Sequence, residues 1–279
     1  MRTPLLTSAL FLSLAACGPS GAAEATGDGL TGKLTLTGSS TVAPVALEIG
    51  KRFEGLHPGV RIDVQTGGSS RGIADARSGL ADIGMASRAC KPSESDLDAH
   101  TIAQDGVGLI VHSDNPVESL TDDQVRSIYL GGITNWNEVG GPDAPITVVN
   151  KAAGRATLEV FLKYFGLDEK AIEADVVVGD NEQGVKTVAG NPHSVGYVSI
   201  GTAEYGAGNG VPIKLLPTDG VEATTENVGE GTFPIGRPLN FVTFGEVDPL
   251  AQAFIDYCRS SEVHDLVTDL YFVPVRNAE

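Results

Sequence analysis

Residues 33–86 read KLTLTGSSTVAPVALEIGKRFEGLHPGVRIDVQTGGSSRGIADARSGLADIGMA, and this stretch decides the fold. Apolar residues recur at a helical spacing in some segments and alternate with polar residues in others, and glycine, serine and proline separate the segments. The pattern predicts strand Lys33–Thr37, helix Val42–Phe53, strand Arg61–Thr66, helix Ile73–Leu80 and strand Ala81–Ala86. This order of elements predicts a parallel sheet with helices on its faces.

The rest of the chain predicts a second α/β block and a return to the first. The predicted elements are strand Gly106–His112, helix Asp122–Tyr129, strand Ile146–Val149, helix Leu158–Phe165, strand Asp175–Val178, helix Glu182–Ala189, strand Val195–Ile200, strand Leu239–Phe244 and one long helix, Pro249–Leu270. Residues 206–210 and 222–231 are interpreted as surface loops. With joints near Pro116 and 234–238, we expect lobe 1 to comprise 32–113 and 236–279, and lobe 2 to comprise 114–235.

The first residues have the pattern of an export signal. Arg2 precedes a short apolar run, and Leu14-Ala15-Ala16-Cys17 is similar to a bacterial lipobox. The run is too short to span a membrane. We expect a signal peptide over 1–16, a lipid on Cys17, a flexible tether over 17–31, and a periplasmic or cell-surface location. A disulfide between Cys90 and Cys258 is permitted in such a location, but the sequence does not decide it.

The chain of 279 residues carries a net charge of −17, which disfavours binding to nucleic acid and to anionic membrane surfaces. Membrane attachment is therefore expected through the lipid alone. The sequence has no Walker A loop and no metal-ligand spacing such as H-E-x-x-H, so we expect neither a cofactor nor a metal. Any anion site in so acidic a protein must work through local dipoles and a few placed cations.

Three turns share one design. TGSSTVAP (37–44), TGGSSRGI (66–73) and NKAAGRATL (150–158) each lie between a predicted strand and a predicted helix. The first N–H groups of a helix have no partner within it, and that end of the helix is partly positive. With serine and threonine hydroxyls added, such a turn suits a tetrahedral oxyanion. The alternative is that these residues merely cap their helices.

A second alternative is an enzyme. Residues 68–72 match the G-x-S-x-G pattern of a serine hydrolase, so Ser69 or Ser70 of a secreted hydrolase or phosphatase could be the nucleophile. Such an enzyme needs a histidine base. His112, His193 and His264 are more simply interpreted as surface or structural residues.

Residues 36–88, from LTGSSTVAP to GMASR, resemble the first lobe of PstS-type phosphate-binding proteins of bacterial ABC transporters. LTDDQVRSIYLGGITNWNEVGG (120–141) resembles their second-lobe signature, and SVGYVSIGTAEYG (194–206) resembles a later segment. The resemblance implies a two-lobed type II periplasmic-binding-protein fold with two hinge crossings. It also implies a monomeric, non-enzymatic protein that delivers inorganic phosphate to a membrane permease. A surface adhesin or a signalling receptor on the same fold is a further alternative.

The resemblance also assigns the site, residue by residue. It implies that phosphate is bound by Ser40, Thr41, Ser69, Ser70, Ser87, Arg88, Lys151, Gly154, Arg155, Ala156 and Thr157. In the best-known branch of the family an aspartate that accepts the phosphate proton stands where this chain has Arg88. Lys151 stands at the family's arginine, Arg155 at its first serine and Ala156 at its glycine. These departures keep sulfate, molybdate and tungstate open as ligands.

Overall fold

The computed structural model of the protein describes residues 29–275 and shows a mixed α/β fold, which confirms the predicted fold class. The strands in this range are β1 Thr31–Gly38, β2 Gly59–Thr66, β3 Ile83–Ala86, β4 Leu97–His112, β5 Thr147–Lys151, β6 Val176–Val178, β7 Ser194–Ser199, β8 Ile213–Leu216, β9 Gly236–Phe244 and β10 Val273–Pro274. The α-helices are α1 Ala43–Leu56, α2 Ser69–Ser78, α3 Asp122–Tyr129, α4 Ala156–Phe165, α5 Asn181–Ala189, α6 Ile200–Gly208, α7 Thr225–Glu230, α8 Pro249–Cys258 and α9 His264–Asp269.

One sheet runs through both lobes in the order β2-β1-β3-β9-β4-β7-β5-β6, and β8 and β10 also pair with β4. Strand β1 is parallel to β2 and β3, and β5 is parallel to β6 and β7. Between these parallel regions, β9 is antiparallel to both β3 and β4, and β4 is antiparallel to β7. Two parallel sheets are therefore joined by a pair of long antiparallel strands.

Strand β4 carries the chain from one lobe to the other. Its first part, Leu97–Gly106, pairs with β9, and Val107–His112 pairs with β7 and β8. The buried apolar residues divide at the same places: the largest cluster of lobe 1 includes Ala103 and Leu239, whereas that of lobe 2 begins at Val107 and ends at Ile235. The lobe boundaries inferred from the sequence stay a prediction.

Three local predictions are wrong. The predicted long helix 249–270 is broken after Cys258, where Ser260 instead caps a short 3₁₀ turn by accepting a hydrogen bond from the Glu262 N–H. The predicted loop 206–210 overlaps the last three residues of α6, and the predicted loop 222–231 contains α7; these helices begin at the capping hydroxyls of Ser199 and Thr224. Strand β4 also begins nine residues earlier than predicted.

The two cysteines within residues 29–275 are not bridged. Cys258 is a buried free thiol, and Cys90 is a half-exposed one. Cys17 lies outside the described residues, as do the predicted signal peptide and most of the tether. Within 29–275 no helix combines the length and the apolar character needed to cross a bilayer.

The second turn is held in place by the close packing of helix α2 on β1 and β3. A Cβ atom at Gly72 would lie 2.5 Å from the Thr37 carbonyl oxygen and 2.8 Å from the Gly38 Cα, both backbone atoms that cannot yield. A glycine in the first turn of α2 therefore lets the serines before it approach the ends of β1 and β3. This contact brings the first two turns to one place.

We predict that Gly72→Ala lowers the free energy of unfolding by about 1–3 kcal/mol, as overpacking in a filled interior does. Gly55→Ala is the matched control, because Gly55 also lies in a helix but its Cβ would meet nothing within 4 Å. The control should be neutral or more stable by up to about 1 kcal/mol, since alanine is the better helix former. Urea unfolding of both variants tests this, and equal effects would contradict the packing argument.

Candidate anion-binding site

A small polar cavity lies between the lobes, at the ends of the strands that precede α1, α2, α4 and α5. Its volume is about 10 Å³, which is roughly the space that one water molecule needs. The lining residues are Ser39, Ser40, Thr41, Gly68, Ser69, Ser87, Lys151, Arg155, Ala156, Thr157, Gly179, Asp180 and Asn181. The structure therefore brings together eight of the eleven residues predicted for the site: Ser40, Thr41, Ser69, Ser87, Lys151, Arg155, Ala156 and Thr157.

Three of the four helices that begin at this cavity differ from most of the others in how they are capped, whereas the fourth, α5, is capped by Asp180. No side chain accepts a hydrogen bond at the N-terminal cap of α1, α2 or α4. In contrast, α3, α6, α7 and α8, which begin elsewhere, are each capped by a threonine, serine or aspartate. The first N–H groups of an uncapped helix keep their capacity to donate, and the helix end is partly positive. This difference favours an anion site over simple capping at α1, α2 and α4.

Two cations line the cavity. Arg155 is half-buried, and within residues 29–275 its guanidinium has neither an ion-pair nor a hydrogen-bond partner. Lys151 is buried, and its Nζ donates a hydrogen bond of 2.6 Å to the backbone carbonyl of Asp180. Asp180 is the only carboxylate among the lining residues, and its Oδ1 accepts from the Gln183 N–H at 2.7 Å. The local charge of the cavity is therefore positive in a protein whose net charge is strongly negative.

The position of Lys151 alters its acid–base behaviour. Burial lowers the pKa of its ammonium group from 10.5 to about 7; Asp180 acts to raise it, whereas Arg237 and Arg155 lower it further. The neutral amine is therefore populated near neutral pH. A bound anion would favour the charged form and raise this pKa again.

The hydroxyl groups of the cavity form a connected set. Ser39 Oγ lies 2.9 Å from Ser87 Oγ and accepts from the Thr41 N–H, and Ser69 Oγ accepts from the Ser87 N–H at 3.2 Å. Asn181 Nδ2 of lobe 2 donates to Thr41 Oγ1 of lobe 1 at 2.9 Å. The turns that the sequence analysis treated separately are thus one hydrogen-bonded unit.

Arg88 does not face this cavity, which corrects the prediction that it contacts the anion. Its guanidinium forms two hydrogen bonds to the carboxylate of Glu94, at 2.7 and 2.9 Å, and its Nε lies 2.9 Å from Glu159 Oε2. The pKa of Arg88 is raised, because these carboxylates outweigh its burial, and the pKa of Glu94 is lowered. The guanidinium that the sequence analysis assigned to the ligand is therefore paired with two carboxylates of the protein, the buried Glu94 and the half-buried Glu159.

Ser70 and Gly154 also do not line the cavity, and they instead form contacts between the two lobes. The Ser70 N–H donates to the Gly154 carbonyl at 3.2 Å, and Ser70 Oγ lies 3.3 Å from Glu159 Oε1. Lys91 of lobe 1 reaches Glu159 of lobe 2 at 2.6 Å. Gly68 has a φ of 95°, and a Cβ there would lie 2.9 Å from the Gly154 oxygen. These contacts hold the two lobes against each other beside the cavity, which is a closed arrangement of the lobes.

Five lining residues were missed by the sequence analysis: Ser39, Gly68, Gly179, Asp180 and Asn181. The last three belong to a fourth strand–turn–helix unit, VVVGDNEQG (176–184), and this order of elements was a signal that could have found them. The signature around Trp136 has a different role. Trp136 is fully buried, and its Nε1 donates to the His193 carbonyl at 2.9 Å, so it holds lobe 2 together.

Comparison with known proteins agrees with this geometry. A family model described as the PBP superfamily domain matches residues 22–262. The phosphate-binding protein PstS of Bacillus subtilis is 31% identical over 97% of this chain and 92% of its own length. PstS of Borreliella burgdorferi is 26% identical over 87% of this chain and 90% of its own length.

Solved structures lead to the same group. A Clostridium perfringens protein described as a phosphate ABC transporter substrate-binding protein, crystallised with bound phosphate, superposes with a TM-score of 0.82 at 34% identity. The match covers 88% of this chain and 100% of that one. An ABC-type phosphate transport receptor from Vibrio cholerae has a TM-score of 0.69 at 30% identity, with coverage of 88% and 100%.

We predict that anion binding above neutral pH takes up a proton at Lys151. At about pH 8.5 the amine of the free protein is mostly neutral, and inorganic phosphate is already mainly the dianion, so a proton gained on binding must go to the protein. Calorimetry in buffers of different ionisation enthalpy measures this uptake, which should approach one proton per phosphate. Lys151→Arg should take up none, because a guanidinium stays charged. The same uptake in both proteins would contradict the assignment.

Proposed function

Because this chain belongs to the PBP superfamily and, within it, to the family of PstS phosphate-binding proteins, we propose that it captures inorganic phosphate for an ABC importer. The protein binds phosphate between its lobes and closes over it. Closure excludes water, and hydrogen bonds and charge interactions are stronger in the less polar surroundings that result. The ligand is then delivered to the membrane permease.

The observation that carries this proposal is the cavity between the lobes. It combines a half-buried guanidinium that has no partner within residues 29–275, a buried lysine, hydroxyl groups from three turns and from the end of β3, and the N-terminal ends of three uncapped helices. Each of these groups donates hydrogen bonds or supplies positive charge, and a compact oxyanion accepts on all of its oxygens. A compact oxyanion therefore suits this small, donor-rich space.

The same geometry supports a binding role and not an enzymatic one. Ser69 Oγ already accepts from the Ser87 N–H, and Ser70 lies against Glu159 and outside the cavity. None of the residues that line the cavity is a histidine, so the proposed nucleophiles have no imidazole base there. Turnover of an aryl phosphate by the purified protein would overturn this part of the proposal.

We propose that the protein acts outside the cytoplasm as a monomer held by a lipid on Cys17. The proposal for the anchor rests on the lipobox-like sequence 14–17, which lies outside the described residues. Cys17→Ser should abolish labelling by a radioactive fatty acid, and unchanged labelling would contradict the anchor. Size-exclusion chromatography with light scattering tests the monomer.

Phosphate is to be distinguished from other tetrahedral oxyanions by direct titration. Calorimetry with phosphate, sulfate, molybdate and tungstate on the soluble domain is the deciding experiment. The expected result is tight binding of phosphate and weaker binding of the other three. Preference for any of them over phosphate would overturn the ligand, although not the site.

Arg155→Ala should weaken phosphate binding by about ten- to a hundredfold, because a charge-assisted hydrogen bond contributes about 1.5–3 kcal/mol. The matched control is Arg71→Ala. Arg71 lies on a neighbouring turn, is exposed and pairs with Asp75 at 3.2 Å on the protein surface. The control should bind phosphate as wild type does. If the two variants behave alike in calorimetry, Arg155 does not contact the anion.

Phosphate should also shift the protein toward its closed arrangement. The contacts of Glu159 with Arg88 and Lys91, and of Ser70 with Gly154, all join the lobes beside the cavity, so they form only when the lobes meet. The radius of gyration from small-angle X-ray scattering should therefore be smaller with saturating phosphate than without it. Identical scattering curves would count against closure and leave binding itself untouched.

A further inference from the structure

A buried ion pair that no sequence motif indicated lies directly behind the cavity. Arg237 is the second residue of β9, and in the antiparallel register it stands opposite Asp105 of β4. Its Nη2 is 2.8 Å and its Nε 3.1 Å from Asp105 Oδ2, and both side chains are 1% exposed. The pair therefore sits where β4 and β9 pass between the lobes.

The same guanidinium contacts a hydroxyl group from each of three different segments of the cavity. Nη1 is 2.9 Å from Thr157 Oγ1 and 3.4 Å from Ser87 Oγ, and Nη2 is 3.3 Å from Thr41 Oγ1. Thr41 and Ser87 belong to lobe 1, whereas Thr157 belongs to lobe 2. A guanidinium has donors only, so each hydroxyl oxygen must accept from it.

These contacts limit what the hydroxyl groups can do toward a ligand. A hydroxyl has two lone pairs and one proton. Thr41 Oγ1 already accepts from both Arg237 and Asn181, so its proton is the group that remains for the cavity it lines. Ser87 Oγ has Ser39 Oγ at 2.9 Å in addition to Arg237. The arrangement favours hydroxyls that donate to the anion and disfavours hydroxyls that accept from it.

We infer that Arg237 is a positioning residue for anion capture, which holds the hydroxyls of Thr41, Ser87 and Thr157 as donors to the ligand and ties this set across the two lobes. The inference rests on the proposed function of the cavity as the phosphate site. The arrangement of the hydroxyls gives the site a preference for the phosphate dianion. The monoanion carries a second P–OH group, and these oxygens cannot accept a hydrogen bond from it. Arg88, which stands where the best-known branch of the family has its acceptor aspartate, is turned away to Glu94 and Glu159.

The first test is a double-mutant cycle on phosphate affinity. Arg237→Lys keeps the charge beside Asp105, but an ammonium group cannot span Thr41 and Thr157. We expect it to weaken phosphate binding by roughly tenfold or more, and Thr157→Val to do the same in the wild-type background. In the Arg237→Lys background, Thr157→Val should cost less than about threefold, because the hydroxyl is no longer held. Fully additive effects, or wild-type affinity in Arg237→Lys, would overturn the inference.

Arg52→Lys is the matched control, since Arg52 also forms two hydrogen bonds to one carboxylate, that of Asp265, but lies away from the cavity and contacts no cavity hydroxyl. Both lysine variants should lower the melting temperature, whereas only Arg237→Lys should weaken phosphate binding. A merely structural role predicts equal affinities in the two variants. If Arg237→Lys does not fold, the neutral pair Asp105→Asn with Arg237→Met replaces it in the same cycle.

The second test is the pH profile in a Lys151→Arg background, which removes the titrating lysine. With Arg237 present, affinity should rise from about pH 6 to about pH 8 as phosphate becomes the dianion. With Arg237→Lys the rise should be smaller, because freed hydroxyls can accept from the monoanion. The same profile in both would overturn the inference. Failure of the wild-type protein to bind phosphate at all would instead refute the proposed function.

Discussion

The cavity depends on the buried ion pair between Arg237 and Asp105. Two charges removed from water are expensive, and such a pair is seldom the most stable way to fill a protein interior. Here both members of the pair have further hydrogen bonds. Asp105 also accepts from the Gly201 N–H at the start of α6, and Arg237 donates to hydroxyl oxygens of three segments. This ion pair is the point where β4, β9, the start of α6 and both lobes meet. The positions of the hydroxyl groups in the site therefore depend on how β4 and β9 pass between the lobes.

The site also shows how an acidic protein can hold an anion. A net charge of −17 repels phosphate, but at physiological ionic strength salt largely screens that repulsion at distances beyond about 8 Å. Inside the cavity the nearest groups are N–H donors, hydroxyls and two cations, in surroundings where hydrogen bonds are stronger than in water. Short-range donors therefore decide binding, and the net charge of the chain affects only the approach.

Arg88 shows why the same position can change its role. In the best-known branch of the family, its position is held by an aspartate that accepts the phosphate proton. The fold instead surrounds Arg88 with Glu94 and Glu159, which leaves no donor for the ligand. Because Glu159 is on lobe 2 and Arg88 on lobe 1, the residue now joins the lobes and does not contact the ligand. The sequence contained all three residues but not their proximity.

Sequence patterns were enough to predict most of the order of strands and helices and the two-lobed α/β class, and the resemblance to a known family added eight of the residues that line the cavity. The patterns are local, because hydrophobic period and glycine-rich turns are properties of short segments. Folding in three dimensions turned Arg88 away from the site, brought Asn181 into it and placed Arg237 behind it. Arg237 and its partner Asp105 are 132 residues apart in the chain, and no periodic pattern links them. A polar side chain acquires its role from the donor or acceptor that folding places beside it, and that neighbour is set by the packing of distant elements.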